Sequence, residues 1–441
     1  MNVSSWSIRN PVPVLLVFGL LTILGIASFK KLGIQQFPDI ELPIITVTAA
    51  LEGASPSQLE TEVARKIEDQ VATLSGVKHI YADLTDGAAI ISVEFNVEKD
   101  NEVAQNEVRN AVDSVRANLP SAMMPPTVSK ISTAGSPILT FTIASPNMDE
   151  KDLSWFVDNE VAKRLLASKG VGGVSRIGGV SREIHIDLDP ALMAGLGVTA
   201  SDVSNQIKRV QQDASGGRGD IGGAVQSIRT LGAVKDAAEI AALQIPLGDG
   251  RKVRVDEVAK VRDTIAERSA YAFLDGKPVV GFQITRTKGS SEVAVAEAAR
   301  QTIAELSRAY PYVKIAEAFN TVQPVVDDYE GSMSLLYEGA FLAIVVVFIF
   351  LHDWRATLVS AAALPLSIIP TFLVMYHLGY TLNVLTLLSL ALVVGILVDD
   401  AIVEIENIVR HLNMGKTPYQ AAMEAADEIG MAVIATTATL I

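Results

Sequence analysis

Apolar residues follow two different rhythms along this chain. Residues 12–29 carry no charge. After a long stretch of mixed polarity the uncharged runs return at 339–351, which extends back across Glu338 to residue 333, and then at 356–378 and 380–398. A helix needs about 20 apolar residues to cross about 30 Å of hydrocarbon. The runs predict four membrane spans, near 10–30, 333–352, 356–377 and 382–409. A last run, 430–441, gives only about 18 Å of helix. It reads as a truncated transmembrane helix 5, so the chain is expected to be an N-terminal fragment. The first run ends Ala27-Ser28-Phe29-Lys30-Lys31 without a small-x-small cleavage site, which makes it an uncleaved anchor rather than a signal peptide.

Between the first and second runs the rhythm is that of a folded domain. Residues 44–50 alternate as a strand. Ser55-Pro56 then opens a helix with Leu59, Val63, Ile67 and Val71 four residues apart. Strands follow at 78–84 and 88–95, joined by Thr-Asp-Gly, then a helix over 101–119 with Val103, Val108, Val112 and Val115 apolar, and a strand at 127–131. The order βαββαβ is that of a ferredoxin-like unit. It recurs: strand 138–144, helix 148–168, strands 173–177 and 183–187, then, after an insert over about 191–263, strands 271–274 and 279–284, helix 293–308 and strand 313–318. Five glycines within Gly216–Gly223 suggest phosphate binding only weakly. No P-loop lysine or strand–helix context follows, so the stretch is expected to be a flexible arm or a hairpin.

Composition sharpens the picture. The chain has 441 residues, 49% of them hydrophobic, with 36 basic against 50 acidic side chains and net charge −14. That balance argues against nucleic acid as a partner. The absence of cysteine removes disulfides, thiol catalysis and cysteine-based zinc sites. Short loops set the orientation, because Lys and Arg gather on the inner side. Arg9, Arg355, Arg410 and Lys416 place the N terminus, 352–356 and 410–418 inside, and the domain between spans one and two outside, in the periplasm of a two-membrane bacterium.

The strongest chemical signal lies in the fourth run. A span of 20 residues there must include Asp399 and Asp400. An ionised carboxylate costs roughly 2.5–3.5 kcal/mol on insertion scales, so such residues are rare and functional. Two neighbouring carboxylates cannot both ionise cheaply, which suits them to carry a proton. Asp400, Glu404, Asn407 and His411 form a polar stripe at i, i+4, i+7 and i+11. Asn407 and His411 are expected at a solvated helix end, and Glu404 stays open between that and a proton exit. A membrane aspartyl protease needs carboxylates facing each other from separate helices, whereas neighbours on one helix point about 100° apart. The chain is therefore not expected to be an enzyme. Spans one to three supply no Lys or Arg as a partner for the pair.

Phe37-Pro38-Asp39-Ile40, Gly53-Ala54-Ser55-Pro56, Trp354-Arg355-Ala356-Thr357-Leu358, Leu385-Thr386-Leu387 and the stretch from Gly395 to Asn407 together resemble the N-terminal portion of a resistance-nodulation-division (RND) efflux transporter. The branch is the hydrophobe/amphiphile (acriflavine-resistance) one. The resemblance covers nearly the whole chain and implies a fold class: an α-helical transmembrane bundle plus an α+β periplasmic domain of two βαββαβ porter repeats, the second interrupted by a docking insert. It implies these boundaries: 1–32 leader and first span, 33–132 first porter subdomain, 133–180 and 265–325 second porter subdomain, 181–264 docking subdomain, 410–429 cytoplasmic connection and 430–441 truncated helix.

The resemblance also implies an inner-membrane, proton-coupled antiporter of hydrophobic or amphiphilic compounds. Such pumps are homotrimers joined to a periplasmic adaptor protein and an outer-membrane channel, driven by the proton motive force without a cofactor or metal. Asp399 and Asp400 match the family's proton-relay aspartates, whose partners lie on later helices; the fragment alone is expected to be inactive. An aspartate pair, where metal exporters carry one, favours an organic substrate. The helix near 101–115 would line the trimer axis, and the arm over about 211–230 would reach a neighbouring subunit. Pro137 and Ile177 stand where typical drug pumps carry two phenylalanines, and the pocket candidates by position are Ile138, Thr140, Ser175, Ile177 and Ser269. The alternatives are an RND-like lipid or protein-export factor, or a membrane-anchored periplasmic assembly or binding module. Membrane carboxylates separate the last from a pump, since anchoring has no use for them.

Overall fold

The Ser55 hydroxyl accepts a hydrogen bond from the Gln58 amide, and Pro56 follows with no N–H to leave unpaired. A helix starts there for that reason. It runs to Val71 through one π-helical turn, Glu60–Ala64, and buries Leu59, Val63, Ile67 and Val71 on one face. The computed structural model describes residues 3–51, 53–210, 214–221, 224–230, 234, 236–247, 250–268 and 270–440.

That helix belongs to a first α+β unit. Its strands are Glu41–Ala50, Val77–Thr85, Ala88–Phe95 and Thr127–Ser132. They stand second–third–first–fourth across one antiparallel sheet. Ile45, Val47 and Ala49 alternate inward with Ala89, Ile91 and Val93, and all six are sealed under the two helices. The second helix, Asn101–Val115, is capped by Asp100, whose carboxylate accepts from Glu102 and Val103. Its buried ridge is Ala104, Val108, Val112 and Val115, while Val103 stands half exposed. The expectation that Val103 packs inward fails because the i, i+4 row through Val108 starts at the small Ala104.

A second unit repeats the plan. Its strands Pro137–Ala144, Val171–Ile177, Val280–Arg286 and Lys314–Asn320 take the same second–third–first–fourth order. Its first helical segment, 150–166, again contains a π turn, Val157–Val161. Its second helix is Glu292–Ala309. One expectation is corrected. The strand near 183–187 does not return into this sheet; Arg182–Leu188 pairs instead with Ala259–Ile265 as a two-stranded ribbon. Gly178 and Gly179, both at positive φ, turn the chain out, and a Cβ on Gly179 would sit 2.4 Å from Ser154 Oγ. The third place in the sheet goes to Val280–Arg286.

The ribbon leads to the insert, which has its own small core of Val198, Val203, Ile245, Val253, Val255 and Val258. Within it Ala214–Ile221 and Ala224–Thr230 pair as an antiparallel hairpin, the second of the two forms expected for the glycine-rich stretch.

Among the described residues four helices are long and apolar enough to cross a membrane: Pro11–Phe29, Val322–Leu351, Trp354–His377 and Val384–Asn413. The second begins 11 residues earlier than hydropathy suggests and follows the last strand after Thr321 alone. The first and third cross closely at Gly25, where a Cβ would lie 2.2 Å from the Ile369 carbonyl oxygen. A further helix, Pro418–Leu440, starts well before the predicted residue 430. Glu424, Asp427 and Glu428 in its first half hid it from a hydropathy reading.

Candidate functional site

Span four begins at a strong cap. The Asn383 side chain accepts from the Leu385 and Thr386 amides, and the Thr386 hydroxyl accepts from the Asn383 amide. The helix then continues without a break past both aspartates to Asn413. Val394 and Val398 are buried on its inward face. Asp400 is half-buried and Asp399 exposed, as expected of neighbours that point about 100° apart. Among the described residues neither carboxylate has a hydrogen-bond or ion-pair partner. The described residues also hold no group of three His, Asp or Glu side chains able to ligate a metal.

The C-terminal end of the polar stripe departs from expectation. Asn407 and His411 are not solvated; both are buried against the helix Pro418–Leu440. His411 Nε2 lies 3.0 Å from Glu428 Oε2, Arg410 donates to the same oxygen at 2.6 Å, and Asn407 Nδ2 donates to it at 3.4 Å and to the Ala425 carbonyl at 3.3 Å. Lys416 closes the group through Glu424 and His411 Nδ1. His411 first and Arg410 second pull the Glu428 carboxyl from its ordinary 4.5 down to about 2. The spacing of the stripe was visible in the sequence, but its covering helix was not. Glu404 remains half-buried between this cluster and Asp400.

Three substrate candidates share one surface. Thr140 and Ser175 both stand opposite Gln283 in register, and Ile177 stands opposite Gly281 two residues on. They lie on the sheet face turned away from the helices, since Leu139, Phe141, Ile143, Phe282 and Ile284 point the other way into the core. Ile138 is 4% exposed within that core and is not on the open face. Ser269 lies outside the described residues. Phe319, opposite Thr140 on the edge strand and 63% exposed, and the half-buried Gln283 complete the row Phe319–Thr140–Gln283–Ser175. Sequence reasoning missed both. Gln283, a lone polar residue between the apolar Phe282 and Ile284, carried a usable signal; Phe319 carried none.

The sequence profile of the AcrB/AcrD/AcrF family matches residues 3–441. Among curated proteins, the chain is 31% identical over 439 residues to the multidrug resistance protein MdtC of Salmonella arizonae. It is 30% identical over the same length to the proteins of that name from Enterobacter sp. and Escherichia coli O157:H7. Each alignment covers 98% of this chain and 42% of the relative, so the chain spans less than half the length of the proteins it matches.

Proposed function

The chain belongs to the AcrB/AcrD/AcrF family, and on that premise we propose that it supplies the first membrane bundle and the first periplasmic block of a proton-coupled exporter of hydrophobic or amphiphilic compounds. The observation that carries the proposal is the Asp399–Asp400 pair. It stands without partners among the described residues, in a helix that carries no charge from Val384 to Val398. Protonating one carboxylate removes a charge worth roughly 2.5–3.5 kcal/mol of insertion free energy. That is enough to shift the preferred depth or packing of span four between two states.

In this reading the two α+β units are ferredoxin-like porter subdomains, 33–132 and 133–180 with 265–325, and 181–264 is a docking subdomain. The open sheet face bearing Thr140, Ser175 and Ile177 receives the substrate, and Gln283 and Phe319 flank it. Its mixed polar and apolar character suits an amphiphile better than a purely apolar molecule. The large domain lies in the periplasm of an inner-membrane transporter, which works as a homotrimer with a periplasmic adaptor and an outer-membrane channel.

The test is drug susceptibility of a cell lacking its own pumps. The intact transporter should raise resistance, and Asp400→Asn should cancel the gain while leaving the protein in the membrane at its normal level. Undiminished resistance with Asp400→Asn would remove the relay assignment.

A further inference from the structure

Residues 33–41, running from the end of span one into the first porter strand, touch both ends of the proposed machine. On the membrane side they bind the start of span four. The Leu382 amide donates to the Gly33 carbonyl at 2.9 Å, the Gln35 amide to the Leu382 carbonyl at 3.1 Å, and the Val384 amide to the Gln36 carbonyl at 3.2 Å. The buried Gln35 side chain adds a bond to Thr381 at 2.7 Å.

On the porter side the same segment binds the second unit. The Glu292 amide donates to the Ile34 carbonyl at 3.0 Å. Ser291, the cap of the helix Glu292–Ala309, accepts from the Ile34 amide at 3.1 Å. The Gly289 amide donates to Asp39 at 2.6 Å. At the centre, Arg286 lies 2.7 Å from Asp39 and 3.3 Å from Glu292, with the three side chains 2%, 12% and 13% exposed. The Arg286–Asp39 approach is a charge contact whose angle falls short of a hydrogen bond. One buried base between two carboxylates holds a position that water would otherwise blur.

Arg286 also ends the strand Val280–Arg286, whose Gln283 sits at the middle of the open face. A continuous route therefore runs from Asp400 along about 24 Å of rigid helix to Val384, through residues 33–39, to Arg286 and the substrate face. A second route runs through Val322–Leu351, which packs on span four and follows the last strand of the same sheet after Thr321 alone, and the variants below separate the two.

We propose that residues 33–41 are a strap that transmits movement of span four to the second porter unit, with Arg286 and Asp39 as its positioning residues. The proposal rests on Asp400 being the protonated group of the transport cycle. Both ends of the strap are held by several short bonds, Ile40 and Glu41 join it to Thr133 and Ser132 of the first unit, and residues 33–39 form only the isolated Ile34–Leu382 bridge, so they move as a link rather than folding as an element.

Hydrogen exchange on the full chain in lipid nanodiscs tests it, with Asp400→Asn standing in for the protonated state. In the otherwise unaltered chain this change should alter exchange at 382–386 and also at 286–295, by about threefold or more. With Asp39→Asn added, the response at 382–386 should persist and that at 286–295 should vanish. The conservative Arg286→Lys should retain it. A purely structural role would change the resting exchange of these variants but not their response to Asp400→Asn. A response at 286–295 that survives Asp39→Asn, or that never occurs in the unaltered chain, overturns the strap. If the response is present but export by the intact transporter consumes no proton gradient, the proton-coupling reading fails and the strap stands.

Discussion

One carboxylate oxygen of Glu428 meets Asn407, Arg410 and His411 of the preceding helix. His411 and Arg410 hold its carboxyl at about 2 against an ordinary 4.5. A lowered pKa stabilises the folded form above the unfolded value and loses that contribution as pH falls toward the folded one. The clamp between span four and the helix Pro418–Leu440 should therefore be intact above about pH 4.5 and weaken progressively down to about pH 2. Glu428→Gln should flatten that part of the pH dependence of thermal unfolding, and an unchanged acid limb would show that the clamp contributes nothing. At this scale the sequence was informative where chemistry is costly. Asp399 and Asp400 stood out because lipid penalises them. Arg286, Asp39 and Glu292 did not, because their meeting depends on residues some 250 positions apart, which no local pattern records.

Elements were legible wherever one period dominated. The Ser55 cap, the alternating first strand and the four spans follow from spacing alone. Two kinds of element escaped. The helix Pro418–Leu440 was masked by its acidic first half, and Arg182–Leu188 read as a sheet strand although glycines at positive φ lead it into a ribbon. The crossing of spans one and three was also invisible, since Gly19 and Gly25 look alike in sequence. In the fold Gly19 has open space, while a Cβ on Gly25 would meet the Ile369 carbonyl at 2.2 Å. Gly25→Val should cost about 1–3 kcal/mol of stability by forcing the spans apart, and Gly19→Val should change it far less. Equal melting temperatures for the two variants would contradict this crossing.

For the molecule as a whole, duplication was readable but its closure was not. The repeated strand order and the π turn in the first helical segment of each unit match the internal repeat seen in the sequence. The second unit closes its sheet across an insert of roughly a hundred residues between Ile177 and Val280, and only the fold shows which strand takes the third place. The same long-range closure brings the end of Val280–Arg286 beside the segment that follows span one. The apolar helices bearing two carboxylates are thereby joined to the sheet face bearing the substrate candidates.

Proton uptake linked to substrate measures that junction directly. In proteoliposomes holding the intact transporter and a pH-sensitive dye, adding an amphiphilic substrate under an imposed pH gradient should accelerate proton flux, and Asp400→Asn should abolish the acceleration. Substrate-stimulated flux that is unchanged in Asp400→Asn, or export that proceeds without any proton flux, would contradict the account.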